Sequence, residues 1–99
     1  MRNEKQMKTT KTSNRKARRF VQDREPFTGS NTSGGWEGKD TYVVYSYGRH
    51  WPLFIWAGWW YENAGRYSVT TSKHSSQLHP GVETRKLSCP EMRALRDKA

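Results

Sequence analysis

The stretch Tyr42-Val-Val-Tyr45-Ser-Tyr47-Gly-Arg-His-Trp51-Pro-Leu-Phe54-Ile-Trp56-Ala-Gly-Trp59-Trp60-Tyr61 holds nine of the chain's thirteen Trp, Tyr and Phe residues in twenty positions. Aromatic and β-branched side chains suit a pleated, half-buried surface. From Tyr42 to Tyr47 the alternation puts Val43, Tyr45 and Tyr47 on one face and Tyr42, Val44 and Ser46 on the other. Gly48 to Trp51 reads as a turn, and Pro52 can open a second strand because a missing N–H is tolerated there. That strand is Leu53 to Ala57, with Gly58 as a tight reversal, followed by a third strand, Trp59 to Glu62. Asn63-Ala-Gly65 turns the chain into a fourth strand, Arg66 to Thr70. So many rings in a small domain cannot all be core, and those left outside are available to stack on a base or dock a partner.

Outward from this centre the signals change character. Residues 1–13 show no apolar period and read as a disordered basic arm. From Asn14, a good N-cap residue, Ala17, Phe20 and Val21 recur at helical spacing on one narrow face. Pro26 disfavours helix at Glu25, so the helix runs Asn14 to Arg24. Residues 28–40 (TGSNTSGGWEGKD) read as a loop, with Trp36 as an anchor. After the strands, Thr71 to Pro80 is polar; Thr71 or Ser72 can cap a helix of one or two turns that stops before Pro80. Val82 to Leu87 is a candidate edge strand. Ser88-Cys-Pro-Glu91 matches the capping box S-x-x-E, with Pro90 in the first turn and Leu87 and Met92 at staple positions. A helix from Cys89 to about Lys98 follows. The expected fold is therefore α+β: a three- to four-stranded antiparallel sheet, a C-terminal helix, a short basic N-terminal helix and a disordered arm. Residues 14–99 form one small domain.

The chain has 99 residues, a net charge of +9 and a mean hydropathy of −1.11. The charge is lopsided. Residues 1–19 hold eight basic residues against Glu4 alone, so the body is close to balanced and the N-terminal part carries the field. Such blocks attract polyanions. No apolar run approaches the roughly 20 residues of a membrane span, and the N-terminus has no apolar core of a secretory signal. The single Cys89 excludes an internal disulfide and suits a reducing cytoplasm.

Catalytic chemistry finds little to stand on. His50, His74, His79 and Cys89 lack the paired spacing of a zinc site, so no metal or other cofactor is expected. Cys89 at a helix start is more simply a small, partly buried residue than a nucleophile. Lys73, His74, Ser75 and Ser76 imitate nucleophile-and-base chemistry only as sequence neighbours. No phosphate-cradle glycine motif occurs. The chain reads as a non-enzyme.

Asn14-Arg-Lys-Ala-Arg-Arg19 resembles the arginine-rich RNA-binding helices of phage antiterminators. Three longer stretches, Pro26-Phe-Thr-Gly-Ser-Asn31, Tyr42-Val-Val-Tyr-Ser-Tyr-Gly48 with Trp51-Pro-Leu-Phe54, and Tyr67-Ser-Val-Thr-Thr-Ser-Lys-His74 with Gln77 and Pro80, resemble a family of small proteins of unknown function encoded by bacteriophages and other mobile elements. The resemblance implies an accessory role in the bacterial host cytoplasm and carries no catalytic residue with it. The expected function is nucleic-acid binding, with RNA or single strands favoured. Arg15, Lys16, Arg18, Arg19 and Lys73 would contact phosphates, and Tyr45, Tyr47, Trp51 and Trp59 would stack on unpaired bases. The alternative is an inhibitor that binds a host protein, for which Trp, Tyr and Arg are equally suited.

Overall fold

The computed structural model describes residues 9–65 and 69–99. Its elements are β1 (Thr10–Lys11), α1 (Asn14–Asp23), β2 (Phe27–Thr28), β3 (Thr32–Glu37), β4 (Thr41–Ser46), β5 (Pro52–Trp56), β6 (Trp60–Asn63), α2 (Val69–Leu78), β7 (Arg85–Leu87) and α3 (Cys89–Asp97). The fold is α+β as expected, but the sheet has seven strands in the order β1-β2-β3-β4-β5-β6-β7, which corrects the three or four read from the sequence.

The aromatic segment forms the centre. β4 is buried along its whole length because both its faces are covered. Tyr42, Val44 and Phe54 join Ala17 and Val21 of α1 and Leu78 of α2 in one core layer. Val43, Tyr45 and Ile55 face the other way, onto Met92 and Leu95 of α3. The two faces expected from the alternation in β4 thus become two cores, one on each side of the sheet. On the α1 side, Trp36, Tyr42, Trp56 and Trp60 stand directly opposite one another across β3, β4, β5 and β6. Their rings meet edge to face at 5.5–6.3 Å, the arrangement the ring quadrupole favours.

The additional strands have specific causes. β3 lies inside the stretch read as a loop. A Cβ at Gly34 would press into the Phe27 ring and stand 2.7 Å from Tyr42 Oη, so this glycine permits a close approach within a sheet and marks no turn. Trp36 does act as an anchor: its indole N–H donates to the Arg24 carbonyl at 3.0 Å. β1 and β2 are two residues each, too short to carry any periodicity; β7, three residues at the sheet edge, lies within the Val82–Leu87 stretch read as a candidate edge strand. Part of the expected arm, Thr10 and Lys11, runs parallel to β2, while residues 1–8 lie outside the described residues.

β2 to β6 form an antiparallel meander, of which β4, β5 and β6 answer to the three central strands expected. At each edge the connection changes. β1 pairs parallel with β2, with α1 as the crossover, and β6 pairs parallel with β7, with α2 as the crossover. Both crossover helices lie on the same face and pack on each other. In place of the expected fourth strand, Val69 and Thr70 open α2, and Arg66 to Ser68 lie outside the described residues. α2 is ten residues long and buries Thr71, His74 and Leu78. α3 carries the full capping box: Ser88 Oγ accepts from Glu91 N at 3.3 Å, and Ser88 N donates to Glu91 Oε1 at 2.8 Å. Among the described residues no helix is long and apolar enough to cross a membrane.

Candidate nucleic-acid interface

α1 is held at both ends by contacts that leave its basic residues outside. Ser13, one residue before the expected cap, accepts from Lys16 N. Asn14 instead clamps the β2–β3 turn: its Oδ1 accepts from Ser30 N (2.9 Å) and Thr32 Oγ1 (2.7 Å), and its Nδ2 donates to Ser30 O (3.0 Å). The helix ends at Arg24, whose left-handed backbone (φ 55°) sends its N–H to Phe20 O and Val21 O. Ala17 and Val21 are buried, and Phe20 packs at the margin of the core.

Arg15, Lys16, Arg18 and Arg19 are exposed. Arg18 is nonetheless committed. Its Nε donates to His79 O (2.9 Å) and its Nη2 to Ser76 O (3.3 Å), which caps the C-terminal end of α2. A cation at that end also meets the negative pole of the helix dipole. Arg18 therefore positions α1 against α2, with Gln22 Nε2 donating to Pro80 O nearby. Among the described residues no ion pair engages Arg15, Lys16 or Arg19. The first turn of α1 has no acidic residue, although acids are favoured there and cations opposed by the dipole, each by about 0.3–1 kcal/mol. Arg15 and Lys16 occupy that turn against local stability.

Two shallow depressions share Arg15 and Arg18. One, of about 580 Å³, runs past Lys16, Arg19 and Gln22. The other, of about 320 Å³, lies between the helices and is completed by Ser76 and Gln77 of α2. Lys73 is exposed one turn before Gln77. The structure thus places the five basic candidates on α1 and α2, the two helices packed on one side of the sheet.

The four candidate rings do not come together. Tyr45 is only 6% exposed. Arg49 and Arg96 lie over its ring at 5.3 and 6.0 Å, and its hydroxyl donates to Glu37 Oε2 at 3.1 Å. Hydrogen bonds from Arg49 hold the Glu37 carboxyl below its usual range, and burial pushes the Tyr45 phenol up. Tyr45 is a core residue beneath α3 and offers no stacking face, contrary to expectation. Trp51 is half-buried on the opposite face, against the α1-side core. Tyr47 is 50% exposed at the β4–β5 end, with φ 70° and its ring 5.6 Å from that of His74. Trp59 is 43% exposed at the other end of the sheet, in the β5–β6 turn, under the Arg85 guanidinium at 4.9 Å. Among the described residues these four rings form no continuous face with the basic residues of α1 and α2. Sequence reading missed Arg24, which lies over Trp56 at 4.5 Å, and Arg85.

The nearest approach to nucleophile-and-base geometry is Ser46 Oγ and His74 Nδ1, which share a hydrogen bond of 2.8 Å. Both residues are buried, which leaves no room for a substrate. His79 has both nitrogens engaged, Nδ1 accepting from Gly81 N (2.9 Å) and Nε2 facing Glu62 at 3.5 Å. Among the described residues no three His, Cys, Asp or Glu side chains converge as a metal site requires.

Burial, with Lys73 adding to it, lowers the His74 imidazole below its ordinary value of 6.5. The folded protein therefore binds that proton less readily than the unfolded chain. The His74 contribution to stability is complete above pH 6.5 and is lost as pH falls through the lowered value. In denaturant melts between pH 7.5 and 5, His74→Gln is expected to remove part of the acid-side loss seen in the parent; an unchanged pH profile contradicts this.

Comparison with protein-family models, curated proteins and solved structures finds no match in any of the three.

Proposed function

We propose that the chain is a small, non-enzymatic nucleic-acid-binding protein that grips phosphates along the outer side of α1 and α2. The observation that carries this reading is the α1 surface. The helix docks through a narrow stripe, Ala17 and Val21, and turns Arg15, Lys16 and Arg19 outward with no acidic partner among the described residues. The cations in its first turn also lie at the positive end of the helix dipole, a combination that favours bound phosphate oxygens. The net charge of +9, concentrated toward the N-terminus, draws a polyanion to the same end. Arg18 takes part indirectly, by fixing α1 to α2. The resemblance to mobile-element proteins supports an accessory role in a bacterial host cytoplasm.

A second reading is a host-protein inhibitor. It is favoured by the exposed Trp59 and Val82 beside Arg85, since Trp and Arg dominate protein interface energies. Titration of labelled single-stranded RNA and DNA at low salt separates the two. The nucleic-acid reading expects saturable binding of at least one; no binding of either transfers the lead to the inhibitor.

A further inference from the structure

A further depression lies at the tip of the β5–β6 hairpin, apart from the two lined by Arg15 and Arg18. It has a volume of about 340 Å³ and is lined by Trp56, Gly58, Trp59, Trp60, Val82 and Glu83. Trp60 is nearly buried, while Trp59 and Val82 are left 43% and 52% exposed. Two large apolar side chains thus stand open to solvent beside buried ones at the mouth of the depression.

The charges around it narrow what that is. Arg24 lies over Trp56 and Arg85 over Trp59. Among the described residues neither guanidinium is in an ion pair. Each cation covers one face of its ring and attracts an anion to the rim. Among the described residues Glu83 is the one carboxylate lining the depression, an acceptor for the amino or ring N–H edge of a base. Gly58 takes a positive φ of 84°, and apart from its chain neighbours no heavy atom among the described residues stands within 4 Å of where its Cβ would be. Flat apolar walls, cations at the edge and a single acceptor complement a planar heterocycle that carries phosphates.

The depression also connects to the basic helix. Arg24 directly follows α1, and Gln22 holds the Pro80 carbonyl of the segment leading to Val82. From Arg15 to Arg24 the helix advances about 14 Å, a span of a few nucleotides.

We infer that the hairpin-tip depression receives an unpaired base of a single strand whose phosphates run along α1, with Trp59 as the stacking ring and Arg24 and Arg85 on the flanking phosphates. This rests on the phosphate-binding reading of α1 and adds to it the preference for single strands.

The test compares a fluorescein-labelled single-stranded decamer with an abasic decamer of the same length and charge, by anisotropy. The wild-type chain is expected to bind the base-bearing strand about 5- to 150-fold more tightly, the range for one stacked base. Trp59→Ala removes the ring. Val82→Gln, at an exposed position, fills the mouth without removing it or changing charge. Each is expected to bring the ratio close to one while leaving the salt dependence unchanged. Equal wild-type binding of the two strands, or a ratio untouched by both substitutions, overturns the base site and leaves the α1 reading standing. No binding of either strand overturns both.

Discussion

Phe54→Ala is expected to cost about 3–5 kcal/mol, the usual range for an aromatic truncated in a core. Phe54 is fully buried in β5, the strand flanked by β4 and β6. Its ring meets the His79 ring edge-on at 5.4 Å, and its layer joins Ala17 and Val21 of α1 to Leu78 of α2. The loss therefore falls on the layer that holds both helices to the sheet. For a domain of this size each kcal/mol moves the melting temperature by about 4–8 °C, so a drop of more than about 12 °C is expected. Thermal melts followed by circular dichroism measure it; a shift of only a few degrees would show that β5 is not the centre of the fold.

The second large effect concerns binding. Changing Arg15, Lys16 and Arg19 together to Ala removes three phosphate contacts. On a single strand each contributes about 0.7 to the log–log salt slope. The triple variant should therefore show a slope shallower by about 2 and an affinity at 50 mM salt reduced on the order of a hundredfold, with all sequences weakened alike. Its folding should be preserved, because all three side chains are exposed and Ala is the strongest helix former. Anisotropy titrations beside a thermal melt distinguish lost contacts from lost structure.

How far these arguments were open to a reader of the sequence depends on where each signal resides. The central strands were legible because alternation in Tyr42–Tyr47 is local, and each face found a core of its own. The α3 start was legible because a capping box is written in four consecutive residues. β3 was hidden by Gly34 and Gly35, which read as turn residues; the small size of Gly34 answers instead to the rings of Phe27 and Tyr42 on the neighbouring strands. β1 and β2 exist only as partners of other strands, whereas β7 lies within the stretch read as an edge strand. α2 was legible as a helix ending before Pro80, but its start at Val69 and its ten-residue length were not, because two of its three buried residues, Thr71 and His74, are polar and leave no apolar stripe to measure it by. The site divided in the same way. The exposed basic face of α1 follows from its own periodicity. Which rings remain exposed is decided by α3, Arg49 and Arg96 closing over Tyr45, contacts from elsewhere in the chain.

The central claim is that the α1 surface binds phosphates, and the salt dependence of oligonucleotide binding tests it most directly. Wild-type affinity for a single-stranded oligonucleotide is expected to fall linearly on a log–log scale from 50 to 200 mM salt, with a slope of about −2 or steeper. Part of that slope should vanish when Arg15, Lys16 and Arg19 are replaced. A slope near zero, or a wild-type slope unchanged by the triple substitution, would contradict the account.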